Sequence, residues 1–298
     1  MQELQFNNIV VQPVFEDLGF ERKITISVLR LDLIHPVISG NKWFKLKYYI
    51  EEAKKKNKKK IIPFGGAWSN HIVAMACASS LNNFQSIAII RGEEPAEYSA
   101  TLKAAKQYGM ELIFTNRQDY RDKNIPPGIL TSDAYIIPEG GYGKPGAEGF
   151  STALAYCNKN SFTHFISAVG TGTMMAGVIK AVSGRQQVIG VPVLKNNYDQ
   201  LPAIERLLTL EERSRDYRLI KEYHFGGYAK YTPELTGFMN SFYKESRIPT
   251  DFVYTGKLFF AIKDLIRKNY FSVDSNILVI HSGGLQGNTS LTEGTLIF

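Results

Sequence analysis

Short blocks of Ile, Val and Phe recur along the chain, each closed by a glycine-rich turn and followed by a small-residue stretch with helical spacing. Three read KIIPFGGAWSNHIVAMACAS, SIAIIRGEE followed by EYSATLKAAKQYG, and FISAVGTGTMMAGVIKAV. Short blocks rich in Ile and Val, each leading into a helical stretch, are the mark of a parallel sheet with crossover helices. QVIGVPVL from Gln187 and ILVIHSGG from Ile277 extend the pattern into the second half. Between them LPAIERLLTLEERSRDYRLI has apolar residues three and four apart, which predicts helix. The segment PEGGYGKPGAEGF, Pro138 to Phe150, holds too many glycines for either element and is expected to be a hinge or a wall of a site. The class is α/β with open parallel sheets. No repeat, low-complexity tract or long linker interrupts it.

Composition changes this picture little. With 298 residues, 44% hydrophobic and 21% charged, the chain can bury one large core or two modest ones. The net charge of +7 is local, because the run Lys54–Lys60 alone contributes six lysines. It follows a helical segment and precedes IIPF, so it reads as a solvated helix end rather than a nucleic-acid surface. No run spans a bilayer and the first residues lack a basic region followed by an apolar core, so a soluble cytoplasmic protein without membrane or nucleic-acid partners is expected. Cys77 and Cys157 lie far apart among apolar neighbours and read as buried thiols. His35, His71, His164, His224 and His281 show no ligand spacing, and no metal site is expected.

Ligands of open α/β sheets sit beyond the carboxyl ends of the strands, so the turns there are where chemistry is sought. Gly170, Thr171, Gly172 and Thr173 stand between an apolar block and a helix, where backbone N–H groups, hydroxyls and the helix N-terminus favour a phosphate. A purely structural turn is the competing reading. The turn is neither a nucleoside-triphosphate loop nor a dinucleotide fingerprint: no Gly-Lys-Ser/Thr follows, and the next glycine, Gly177, comes too late. Gly65 and Gly66 open a second turn, with Ser69, Asn70 and His71 starting a helix. These are either N-cap residues or an anion site for a substrate carboxylate. In VISGNKWFKLKY, Lys42 and Lys45 lie three apart. A lysine forms a Schiff base when a desolvated pocket keeps its amine neutral beside an aldehyde, and pyridoxal phosphate brings both that aldehyde and a phosphate.

SGNKWFKLKY resembles the G-N-K-x-x-K-L motif of the 1-aminocyclopropane-1-carboxylate deaminase and D-cysteine desulfhydrase family, pyridoxal-phosphate enzymes of the tryptophan-synthase-β-like fold (fold type II). RLDLIHP, GGAWSNH, PEGGY, the Gly/Thr turn, a Tyr-Thr-Gly-Lys stretch and IHSGG extend the likeness over most of the chain. The resemblance implies pyridoxal 5'-phosphate as cofactor, Lys42 as Schiff-base lysine and base, and Lys45 as phosphate partner, with Lys47 at the surface. It implies Asn70 on the cofactor ring oxygen, Ser69 facing substrate with Asn70 and His71 beside it, and Gly170 to Thr173 on the phosphate. Tyr254 and Tyr228 match two active-site tyrosines, Tyr254 orienting the substrate or assisting the leaving group. It further implies two domains, a larger one from 1–47 and 150–298 and a smaller one from 48–149, a small amino-acid substrate, and a homodimer.

The chain departs from the deaminase pattern after Tyr254. Deaminases carry a glutamate there, beside the pyridine nitrogen, whereas this chain has Thr255. A carboxylate keeps that nitrogen protonated and the ring a strong electron sink; a hydroxyl does not. Opening a cyclopropane needs the strong sink and losing a thiolate from a β-carbon does not, so D-cysteine desulfhydrase chemistry is expected ahead of the deaminase. A racemase or dehydratase on the same cofactor, or a non-catalytic cofactor-binding homologue, remains open. Trp68, Trp43, Phe44 and His71 are also unusual for the pattern and are expected to reshape the substrate pocket.

Overall fold

The apolar blocks form the strands of two sheets in the computed structural model, which describes residues 3–15, 23–195 and 199–298. The first half runs β1 (Val11–Pro13), β2 (Thr25–Arg30), α1 (Asn41–Lys55), β3 (Lys60–Gly65), α2 (Asn70–Leu81), β4 (Gln85–Arg91), α3 (Ala100–Gln107), β5 (Glu111–Thr115), α4 (Arg117–Asp122) and β6 (Ala134–Ile137). The second runs α5 (Lys144–Ser151), β7 (His164–Val169), α6 (Thr173–Ala181), β8 (Gln187–Pro192), α7 (Gln200–Glu205), α8 (Leu210–Arg213), β9 (Tyr217–Leu219), α9 (Pro233–Ser246), α10 (Thr255–Arg267) and β10 (Asn276–His281). The larger sheet has the order β1-β2-β10-β7-β8-β9 and the smaller β5-β4-β3-β6. Every pairing is parallel except β1 with β2, an antiparallel edge. The central strands β3, β7, β8 and β10 are buried along nearly their whole length, which is why they read as unbroken apolar runs.

The smaller sheet comes entirely from the stretch 48–149, and we read each sheet as the core of one domain. The chain passes between the sheets through helices, since residues 47–48 lie inside α1 and 149–150 inside α5. These helices touch closely: a methyl on Gly149 would stand 2.1 Å from the Phe44 carbonyl oxygen, and one on Gly146 2.1 Å from that of Gly141. The glycines expected to exclude a helix here are what let α5 pack against its neighbours. Lys47 also serves this seam rather than the surface, donating to Thr152 Oγ1 at 2.6 Å.

The segment from Leu201 is not one helix. It breaks into α7 and α8, with Thr209 restarting the second through a reciprocal capping box with Glu212, and then pairs as edge strand β9 on β8. The lysine run ends α1 as expected, exposed at Lys54, Lys55 and Lys56, with Asn57 left-handed at φ 52°. Cys77 is buried, Cys157 half-buried, and both are free. Among the described residues no helix is long and apolar enough to cross a membrane, and no group of His, Cys, Asp or Glu is placed to hold a metal.

Candidate active site

A cavity of about 450 Å³ opens where the carboxyl ends of both sheets converge. It receives the turns after β3, β6, β7 and β10 and the last residue of β4. The start of α1 enters it because Gly40 takes φ 60°, a conformation costly for residues with a side chain, and a methyl there would meet the Ser282 carbonyl at 1.9 Å. The Asn41 N–H donates to that same carbonyl at 3.1 Å. The turn after β10 thus sets where α1 begins, and with it the lysines.

Lys42 and Lys45 both line the cavity. The Lys42 amine donates to Asn41 Oδ1 at 2.7 Å, and burial pulls its pKa down to about 8 against the opposing pull of Asp251. Lys45 is 5% exposed, and burial together with the charge of Lys42 holds it well below the ordinary lysine range. Ser69 occupies the N-cap position of α2, yet its hydroxyl makes no capping bond, which leaves it free to face a ligand. Asn70 donates to the Gly284 carbonyl at 2.9 Å. Its Oδ1 and both ring nitrogens of His71 are buried with no hydrogen-bond partner among the described residues. Burial, then Lys45 and Lys42, push His71 well below its ordinary pKa, so the ring is neutral.

Gly170, Thr171 and Gly172 line the opposite wall, with Gly172 left-handed at φ 85° in the N-cap position of α6. Thr173 lies behind them, fully buried, its hydroxyl 3.0 Å from that of Thr171. Tyr254 and Tyr228 meet edge to face, ring centres 6.2 Å apart, and the Tyr254 hydroxyl donates to Tyr228. Burial, then Tyr228 and Asp251, keep Tyr254 well above the usual phenol range, and burial also raises Tyr228. Thr255 is not among the residues lining the cavity. Its hydroxyl donates to Asp251 Oδ1 at 2.7 Å and accepts from the Asp251 N–H at 2.7 Å. Trp68 lines the cavity, 46% exposed, whereas Trp43 and Phe44 pack against Phe6 on the far side of α1 and do not shape the pocket.

Several contributors went unread in the sequence. Asn41 precedes Lys42 in the motif itself and bridges it to Met174 Sδ at 3.4 Å. Gln200 braces the Gly/Thr turn through the carbonyls of Val169 and Gly170 at 3.3 and 3.2 Å. Fully buried Lys257, brought down to about 8 by burial, donates to the carbonyls of His224 and Gly227 at 2.9 and 2.7 Å, fixing the loop that ends in Tyr228. Arg91 and Glu139 add opposite charges to the wall. Of these, Asn41, Glu139 and Lys257 lay within strings that carry the resemblance, GNK, PEGGY and Tyr-Thr-Gly-Lys, whereas Gln200 and Arg91 come from other segments.

A family model described as "Pyridoxal-phosphate dependent enzyme" matches residues 12–283. The chain belongs to the pyridoxal-phosphate-dependent enzymes. Among relatives of this enzyme family, a protein of Thermotoga maritima, provisionally named a 1-aminocyclopropane-1-carboxylate deaminase, is 28% identical over 91% of both chains. The bifunctional D-cysteine desulfhydrase/1-aminocyclopropane-1-carboxylate deaminase of Arabidopsis thaliana is 26% identical over 90% of this chain and 74% of its own. A solved structure described as a 1-aminocyclopropane-1-carboxylate deaminase homologue superposes with a TM-score of 0.76 at 23% identity, covering 97% of this chain and 91% of that one. The fold is therefore the fold-type-II α/β architecture, and the chain is a pyridoxal-phosphate-dependent enzyme similar to proteins that carry deaminase and desulfhydrase names.

The residues present fit pyridoxal phosphate. Unpartnered Asn70 Oδ1 and His71 nitrogens call for a polar ligand, the Gly170–Gly172 turn exposes backbone to an anion, and Lys45 supplies a cation. Lys42, with its depressed pKa, supplies the amine.

Proposed function

We propose that this pyridoxal-phosphate enzyme catalyses β-elimination from a small amino acid, foremost D-cysteine, with water giving pyruvate, sulfide and ammonia. The observation that carries the reading is that the position after Tyr254 holds Thr255 and not a glutamate, its hydroxyl proton committed to Asp251, a carboxylate that is not among the residues lining the cavity. The bound cofactor supplies an aldehyde for amines and a ring that accepts electron density from the α-carbon.

This chain's residues do the rest. Lys42, neutral in about half of molecules near pH 8, takes the α-proton at Nζ, steadied by Asn41. Ser69, whose hydroxyl does not cap α2, holds the substrate carboxylate with Asn70 and His71. Tyr254 stays protonated and donates to Tyr228 until the sulfur departs, when its proton is available to the leaving group. Lys45 and the Gly170–Thr173 turn hold the phosphate, and Lys257 keeps Tyr228 in place.

A second reading, opening of 1-aminocyclopropane-1-carboxylate to α-ketobutyrate and ammonia, is favoured by the names of the relatives. Offering cofactor-loaded protein D-cysteine, L-cysteine, D-serine and 1-aminocyclopropane-1-carboxylate in parallel separates the two. Pyruvate with sulfide from D-cysteine alone supports elimination. α-Ketobutyrate from the cyclopropane overturns it and shows the glutamate to be dispensable.

A further inference from the structure

The cavity offers one more cation than a phosphate and an α-carboxylate require. Lys45 and the Gly/Thr turn serve the first, and the Ser69–His71 turn the second. The remaining cation is Arg91, last residue of β4 and part of the cavity wall. Parallel pairing of Gly65 with Ile90 sets it beside the Gly66 turn, where a methyl on Gly66 would lie 3.8 Å from a guanidinium nitrogen. The guanidinium carbon stands 5.8 Å from the centre of the Tyr120 ring, and across the cleft its charge eases ionisation of Tyr228. Arg91 therefore looks onto the same space as the groups assigned to the substrate.

Among the described residues no carboxylate pairs with Arg91. Glu139, the acid that shares its cavity wall, faces Lys123 at 3.4 Å and the Tyr120 hydroxyl instead. An exposed guanidinium keeps its fork of N–H donors for whatever anion enters.

We propose that Arg91 receives a second anionic group on the substrate, so that the site prefers amino acids whose β-substituent carries a permanent negative charge, of sulfate, sulfonate or carboxylate type. The proposal rests on the reading of this cavity as the amino-acid site and names the class that site takes. In elimination from the sulfate or sulfonate members of this class the α-proton passes to Lys42 and the Cβ–X bond breaks with its electron pair on X, whereas a β-carboxylate is bound but does not leave, which makes aspartate a non-reacting probe. X leaves with one more negative charge, which the guanidinium offsets. The remaining enamine takes up water and releases ammonium and pyruvate.

The test uses shape-matched pairs. Cofactor-loaded protein is titrated with D- and L-aspartate against D- and L-asparagine, following the cofactor's visible absorption. Aspartate of one hand should bind about tenfold more tightly than asparagine of the same hand, the weight of one charge-assisted bond at an exposed site. Arg91→Gln should bring that ratio close to one, and Arg91→Lys should keep part of it. An unchanged ratio in Arg91→Gln, or no preference in the parent, overturns the proposal. Equal loss on both amino acids does so too, because Arg91 would then hold the α-carboxylate. Turnover of serine O-sulfate against β-chloroalanine, followed as pyruvate, separates this from the parent reading. Aspartate preference without pyruvate from either compound would sink β-elimination and leave the anion site standing; pyruvate from β-chloroalanine without aspartate preference would do the reverse.

Discussion

At the scale of single residues, the site works by desolvating cations. An ordinary lysine is neutral in only about 0.4% of molecules at pH 8, whereas Lys42, brought down to about 8 by burial, is neutral in about half. Only the neutral amine attacks an aldehyde. Cofactor uptake by the cofactor-free protein, followed by visible absorption, should therefore rise with pH and level off just above 8. A rate still climbing toward pH 10 would mean that Lys42 is not the capturing amine or is not desolvated. Lys42→Ala should develop no covalent cofactor band at any pH, and a retained band would remove it from that role. This residue was legible because SGNK is a local string. Arg91 and Gln200 were not, because each acts on a turn brought in from elsewhere in the chain and no sequence spacing records the meeting; Asp251 acts locally, on the N–H groups two to four residues on, and went unread because an Asp ahead of a helix is an ordinary cap.

At the scale of elements, the end of a helix decides where a catalytic group stands. Tyr254 sits at the N-cap of α10, and the carboxylate of fully buried Asp251 accepts from the N–H groups of Val253, Tyr254 and Thr255 at 3.0, 2.9 and 2.9 Å. Removing it strands three backbone donors and the Thr255 hydroxyl. Asp251→Ala should cost about 2–4 kcal/mol by denaturant midpoint and lower kcat by displacing Tyr254. Asp251→Asn, which keeps one acceptor oxygen, should recover part of both. A loss under about 1 kcal/mol for the alanine variant would show that the carboxylate is not the cap. The elements themselves were legible where the pattern was strong, as in β3, β7, β8 and β10. They were missed where tertiary contact overrode local propensity. In α5, Gly146 and Gly149 permit close packing against the Gly141 and Phe44 carbonyls. After α8, pairing with β8 draws Tyr217–Leu219 out of a helical pattern.

At the scale of the whole molecule, a cavity lined by depressed cations is a destabilising feature until an anion fills it. Lys42 and Lys257 have folded pKa values of about 8 against 10.5 for a free lysine. Between those values the unfolded chain binds more protons than the folded one, so the contribution of these lysines to stability rises with pH, and their penalty is complete below about 8. Tyr49 and Tyr223, both raised to about 12 from 10, act above that window, favouring the fold below pH 10 and losing that benefit only as the unfolded tyrosines ionise. Thermal unfolding of cofactor-free protein from pH 7 to 9.5 should then show a midpoint raised by sulfate, a phosphate surrogate whose charge is constant over this range. At a hundred times its Kd the gain should be on the order of 5 °C. It should be largest below pH 8 and shrink toward 9.5 as the lysines lose their charge unaided. Lys45→Met should be at least as stable as the parent without sulfate, since it removes a buried amine whose charged form burial penalises, and should lose the sulfate gain apart from the general salting effect on any protein. A sulfate gain equal in parent and variant, or independent of pH, would mean that the cluster does not form the anion site and that its cations are solvated in the free protein.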